Sequence, residues 1–309
     1  MSDFDFSWDN LKAQLPNNTF IQKQNFNDSR FWKLSRDEND NGTAIIRLLP
    51  DPEKIPIVKI FEHSIKIFNK QTGKYRYYIQ PSPSSIGLPC PASEEWVRLN
   101  ALGTEEAKEL AKKFKRRIQY ITNIYVIKDP ANPENEGKVF LWKFGIRLMD
   151  KFRTVLEPSE TDKAMGVKRI ELFDLKKGAN ILLKAKKLAG FINYDDTSIQ
   201  TPSALCNPEE AIRIWKSTYN LREFLDPSYY LDYNELKDKL DWVLGRKEKN
   251  NKNNSNQELD KILDQQKVEE QPSKNQQNEE NQNFKENEEN QGSKENEDDI
   301  DLDFLDDLE

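Results

Sequence analysis

Histidine and cysteine are nearly missing from this chain, which has one histidine, His63, and two cysteines, Cys90 and Cys206, in 309 residues. The two thiols form no spacing that reads as a disulfide framework, which suits a reducing compartment. Catalytic signatures are also lacking. There is no glycine-rich phosphate loop, no serine–histidine pairing signal and no repeated Asp-x-Asp element ahead of the polar C-terminal stretch. Asp150, Glu157, Asp162 and Asp174 could hold Mg²⁺ in a nuclease, but their spacing gives no support and solvated acids explain them better. No apolar run approaches the ~18–20 residues of a membrane span. The N-terminus lacks the basic-then-apolar order of a signal peptide. A non-catalytic, cytoplasmic protein is expected.

Charge is abundant and unevenly placed. The formal net charge is −7, yet residues 246–309 carry nine Lys/Arg against twenty Asp/Glu, leaving 38 against 34 in residues 1–245. Within the body, residues 108–187 hold twenty bases and ten acids. A basic centre is therefore joined to an acidic tail, an arrangement suited to binding a polyanion. Residues 246–297, rich in Gln, Asn, Glu and Lys, cannot bury enough apolar surface to offset ordering entropy and are expected to be a disordered linker. The last segment, 298–309, interleaves seven carboxylates with Ile300, Leu302, Phe304, Leu305 and Leu308. A purely solubilising tail has no use for those apolar residues, so it reads as a partner-docking peptide that can also shield a cationic cleft.

The remaining residues alternate between strand and helix patterns. Phe4, Trp8, Leu11 and Leu15 form one stripe of a short helix ended by Pro16, giving an N-terminal arm over 1–25 with a possible role in self-association. Strands are expected at Phe31–Leu34, Thr43–Leu49, Ile55–Phe68 and Lys74–Gln80, the last two forming a hairpin. Residues 81–93 read as an irregular loop. A helix capped by Thr104 is expected to end in the cations Lys112, Lys113, Lys115, Arg116 and Arg117. Further strands are expected at Ile118–Lys128, Lys138–Phe144, Lys168–Leu175 and Asn180–Phe191, with a helix over Ile146–Leu156. Two C-terminal helices follow, one starting at Asn207-Pro208 and one carrying Leu236, Leu240 and Leu244.

Lys112, Lys113, Lys115, Arg116 and Arg117 precede a strand bearing Tyr120 and Tyr125; Trp142, Lys143, Lys184, Lys186, Phe191 and Tyr194 follow. Cations interleaved with aromatics are what a single-stranded nucleic acid requires. Phosphates attract Lys and Arg, and unpaired bases stack on aromatic rings for ~1–3 kcal/mol each. Tyr120 shares a side with Ile118 and Ile124, and Trp142 one with Phe140 and Phe144, so both also fit a core position. Stacking does not separate DNA from RNA. A single-stranded RNA-binding or adaptor protein is the alternative.

The stretch Lys128-Asp-Pro-Ala-Asn-Pro-Glu-Asn-Glu-Gly-Lys-Val-Phe140, with Lys115–Ile127 before it, resembles the single-stranded DNA-binding (helix-destabilising) proteins of T-even bacteriophages. Phe31–Leu34, Ala44–Pro50, Gly190–Asp195 and the acidic tail are similar too, in the same order. The resemblance implies an α+β fold over residues 26–245, with an OB-fold-like β-barrel core and a helical/β connecting subdomain. It implies a DNA-coating role in phage replication, recombination and repair, in the host cytoplasm, with replication and recombination proteins as partners. It also places Lys115, Arg116, Tyr120, Trp142, Phe191 and Tyr194 on DNA-contacting positions.

Two departures from the family pattern stand out. The family holds a structural zinc with one His and three Cys. His63 and Cys90 occupy two of those places here, but Ser82 and Ser93 replace the other two thiols, so no metal or other cofactor is expected. The family's N-terminal arm is basic, whereas Met1–Asn10 has Asp3, Asp5 and Asp9 and no base. Apolar docking through Phe4, Phe6, Trp8 and Leu11 is expected in its place.

Overall fold

One long strand, Arg117–Lys128 (β5), organises the sheet. It is rich in Ile, Tyr, Val and Thr, residues that suit a strand packed on both faces. One of its edges pairs along its length with Val139–Gly145 (β6). Its other edge pairs first with Val58–Asn69 (β3) and then with Gly42–Leu49 (β2), both antiparallel. Phe31–Trp32 (β1) joins β6 in parallel, and Asn180–Leu188 (β7) extends the sheet beyond β2. Lys74–Pro81 (β4) completes a hairpin with β3. Phe191–Asn193 (β8) and Ser198–Ile199 (β9) pair with β7.

This computed structural model describes residues 28–69, 72–188 and 190–246. The expected arm at 1–25, the linker beyond Arg246 and the tail at 298–309 lie outside the described residues. Six α-helices accompany the sheet among those residues: Pro91–Ala101 (α1), Glu105–Lys112 (α2), Ile146–Leu156 (α3), Glu160–Ala164 (α4), Pro208–Lys216 (α5) and Tyr233–Val243 (α6). The fold is mixed α+β, as expected. The nine-stranded sheet is open, however, and its pairings do not close into the expected barrel.

Three apolar clusters hold these elements. The largest packs Ile46, Leu48, Ile124, Trp142, Phe144, Phe152 and Trp215 between the sheet and helices α3 and α5. A second seats the β3–β4 hairpin, through Ile65 and Tyr78, on α1, α2 and α6. The third joins Ile60 and Ile121 to Leu221 and Phe224 of a 3-10 turn.

Four local expectations need correction. Residues 81–93 are not simply irregular, because Pro83–Ile86 forms a 3-10 turn and Pro91 opens α1. Proline breaks a helix interior but is accommodated at a first turn, where its missing N–H costs nothing. The helix expected through Arg117 ends at Lys112, and Arg117 already belongs to β5. The strand expected at Asn180–Phe191 is broken by Gly190, whose φ of +82° turns the chain between β7 and β8. Lys168–Leu175 is a run of turns rather than a strand. Its Leu172, Phe173 and Leu175 are buried.

That run is tied down by Arg47, a fully buried arginine on β2. Its guanidinium donates to Asn180 Oδ1 at 3.2 Å and to the carbonyls of Asp174 and Ser203 at 2.8 and 2.9 Å. Burial lowers its pKa to about 10, partly offset by Asp174, so it stays cationic at neutral pH. Gly178 lies against this latch. A Cβ there would sit 2.4 Å from the Asp174 carbonyl oxygen and 2.7 Å from Arg47 Nη2. Gly178→Ala is therefore expected to lower the urea-unfolding free energy by roughly 2–3 kcal/mol, against about 0.5 kcal/mol for an ordinary surface change.

Candidate nucleic-acid interface

Thr104 caps α2 by accepting from the Ala107 amide at 3.2 Å, with Glu105 and Glu106 in the first turn. The helix runs to Lys112, and a short turn then delivers Lys113, Lys115 and Arg116 to the start of β5. The exposed stretch of β3 supplies Ser64 and Lys66. Together Ser64, Lys66, Lys112, Lys113, Lys115, Arg116 and Arg117 line a single open hollow of about 410 Å³. Six of the seven are cations and none is an acid. Arg116 is held in place from two sides. Its guanidinium carbon lies 3.7 Å from the centroid of the Phe61 ring, and Nη1 donates to Ser84 Oγ at 3.1 Å. Lys112 pairs with Glu109 at 2.7 Å, but both side chains are largely solvated.

Lys143 stands on β6 and is ion-paired with Glu62 of β3, whose register partner is Arg117. A second cluster lies on β7 and β8. Lys184 is exposed, Lys186 pairs with Asp196 at 2.8 Å, Phe191 is 76% exposed, and Tyr194 is half-buried with its phenol pKa raised by burial. Lys184 registers with Thr43 near the start of β2, whereas Arg117 opens β5. The structure thus gathers the first five cations around one hollow and sets Lys184, Lys186, Phe191 and Tyr194 as a separate group.

Tyr120 and Trp142 take the core alternative, at 6% and 5% exposure. Phe144 stacks on both, with centroids 5.7 Å from Tyr120 and 4.5 Å from Trp142. Trp142 also meets Trp32 and Phe152. Rings enclosed in this way offer no open face to a base, so both support the sheet rather than the surface. Lys66 and Phe61 escaped sequence reasoning altogether. The alternation of Ser64 and Lys66 with Ile65 and Ile67 was the available signal, since it marks one polar face on β3.

The four places that the resemblance assigns to zinc hold one imidazole, one thiol and two hydroxyls. His63 Nδ1 is 2.9 Å from the Phe114 carbonyl, so it carries the proton and donates. Nε2 then accepts from Ser93 Oγ at 3.1 Å. Ser82 Oγ bonds Ser84 Oγ at 2.8 Å, and Cys90 is a buried free thiol. Two hydroxyls already engaged in hydrogen bonds are poor substitutes for two thiolates in a closed tetrahedral site. No group of three or more His, Cys, Asp or Glu suited to a metal occurs among the described residues.

Burial lowers the His63 pKa from 6.5 to about 4; the Phe114 hydrogen bond works against this and the Arg116 charge with it. A histidine that is neutral in the fold but protonates more readily when unfolded contributes stability in full above about pH 6.5. That stability is lost as pH falls toward 4, by up to about 1.4 kcal/mol per pH unit. Buried Asp51 has the opposite sign. Burial raises its pKa to about 6, so its contribution declines as pH rises over the same interval. The wild-type slope mixes the two, and a difference measurement isolates His63. In urea unfolding, the stability gap between wild type and His63→Gln is expected to be widest at pH 7 and to narrow markedly by pH 4.5.

None of the described helices is long and apolar enough to cross a membrane. The family model described as gp32 DNA binding protein like matches residues 40–244. The single-stranded DNA-binding proteins of Enterobacteria phage T4 and Enterobacteria phage T2 are each 33% identical to this chain over 225 residues, covering 71% of it and 71% of the relative. The matched span takes in the whole sheet from β2 onward, the basic hollow and all six helices, and on that basis the chain belongs to the gp32-like DNA-binding protein family.

Proposed function

We propose that this protein binds and coats exposed single-stranded DNA during phage replication, recombination and repair, in the host cytoplasm and without catalysis. The observation that carries the reading is the single hollow lined by six cations and no acid, in a chain of this family. Lys66, Lys112, Lys113, Lys115, Arg116 and Arg117 attract the sugar–phosphate backbone, and counterion release drives association. The bound strand is stabilised relative to duplex, so hairpins melt by mass action. Lys143, Lys184, Lys186, Phe191 and Tyr194 are peripheral contacts, and Phe191 is the most open ring among them. The finer architecture we propose is an OB-fold-like core in which β5, shared in succession by β3 and β2, links the core to the hairpin subdomain. The hydrogen-bonded His63–Ser93 pair takes the structural place of the family's zinc.

Titrating labelled oligo-dT at several salt concentrations tests this reading. Each neutralised phosphate contributes about −0.7 to the slope of log affinity against log salt on single strands. Lys115→Ala/Arg117→Ala is expected to flatten the wild-type slope by roughly 1.4. Weak, salt-insensitive binding by the wild type overturns the proposal.

The acidic segment 298–309 is proposed as the docking peptide for replication and recombination proteins and as a competitor for the cationic hollow. Deleting it is expected to tighten oligo-dT binding, most strongly at low salt, while abolishing partner recruitment. Unchanged affinity at low salt argues against competition by the tail.

A further inference from the structure

The β3–β4 hairpin has two unlike faces. In an antiparallel pair, directly opposed residues share a face and neighbours along a strand alternate. The register pairs Ser64 with Ile79, Lys66 with Tyr77, and Phe68 with Tyr75. These six residues therefore occupy one face. The opposite face carries Ile65 and Tyr78, buried against α1, α2 and α6, and is pinned further by Arg76. The Arg76 guanidinium lies 4.8 Å from the Trp242 ring and donates to the Trp242 carbonyl.

The outer face is the same one whose Ser64 and Lys66 line the basic hollow. Two residues further along, Phe68 and Tyr75 are 49% and 45% exposed, with centroids 5.1 Å apart in an edge-to-face pair. Lys66 links the two regions. Its Nζ lies 4.5 Å from the Tyr75 ring and 5.6 Å from the Tyr77 ring. A row of cations thus runs into a row of rings on a hairpin whose other face is anchored.

We propose that this hairpin face is an extension of the binding site, stacking unpaired bases of a strand whose phosphates occupy the hollow. The inference rests on the single-strand-binding reading above and adds residues to it. Phe68 and Tyr75 supply the stacking faces, and Lys66 spans the step from phosphate contact to base contact. Cations alone hold the backbone, whereas exposed rings on a supported hairpin gain affinity from bases with little dependence on sequence.

The test uses the full chain and labelled oligo-dT of roughly 16 nucleotides, the upper site size of one such module. Phe68→Ala/Tyr75→Ala is expected to weaken binding by roughly thirtyfold or more, as the loss of two stacking contacts does. The salt slope should stay unchanged, because no cation is removed. Tyr75→Trp keeps a stacking ring and should bind as wild type, which separates stacking from a general disturbance of the hairpin. Wild-type affinity in the double variant, alongside a steep wild-type salt slope, overturns the hairpin site and leaves the proposed function intact. Weak, salt-insensitive binding by wild type itself overturns both. If the double variant binds this oligonucleotide normally but self-associates less in sedimentation velocity, the face is a contact between copies and the proposal fails.

Discussion

Holding like charges together is the constraint on which the rest of this structure depends. Two unit charges roughly 8 Å apart repel by about 0.5 kcal/mol in water and about 2 kcal/mol at the effective dielectric of a protein surface. Six cations around one hollow would splay apart if each stood on a mobile loop. Here the backbone is fixed on both sides of the crowded turn. The capped helix α2 leads into it, β5 leads out of it, and β5 is itself paired along both edges. The repulsion is thereby borne by the sheet, and a polyanion that enters relieves it.

Arg116 shows how the fold keeps one of these charges aimed. A guanidinium is planar and weakly hydrated, so it can lie on an aromatic ring while still presenting N–H groups at its edge. Phe61 and Ser84 use that geometry. A lysine ammonium has no flat face with which to stack in this way. Glu62 plays the contrary part by pairing with Lys143 beside the hollow, which limits the cationic field on the β6 side.

Much of this was legible in the sequence, for identifiable reasons. Strands β2 to β6, helix α3 and the two C-terminal helices follow from period and capping residues, which are local signals. Lys168–Leu175 has the look of a strand, yet it makes only isolated backbone bonds, from Ile170 N–H to the Val155 carbonyl and from Leu205 N–H to the Leu175 carbonyl, and the Arg47 side chain holds the Asp174 carbonyl. No local pattern announces such a tertiary tether. The cationic run was plain, but its helix stops at Lys112, because the following residues serve β5, which pairs with segments more than fifty residues away. Tyr120 and Trp142 were equally compatible with core and surface by alternation. Their burial depends on which sheet face α3 covers, a choice made by packing. Lys66, Phe68 and Tyr75 were unremarkable as hairpin residues, since only the strand register places them on the face that meets the hollow.

The serine substitutions at the zinc places bear on the same constraint. His63 donates to the carbonyl of Phe114, the residue directly before Lys115, so the imidazole anchors the backbone of the cationic turn from behind. A protonated imidazole there would add a further positive charge beside Arg116, and burial instead keeps the ring neutral. Ser93 completes the arrangement by donating to Nε2, which a second imidazole proton would forbid. A neutral histidine bridging a carbonyl and a hydroxyl can thus tie the base of α1 to the cationic turn with no charge of its own. Both ends of that tie are hydrogen bonds between neutral groups, so it adds no charge to the turn that carries Lys115 and Arg116.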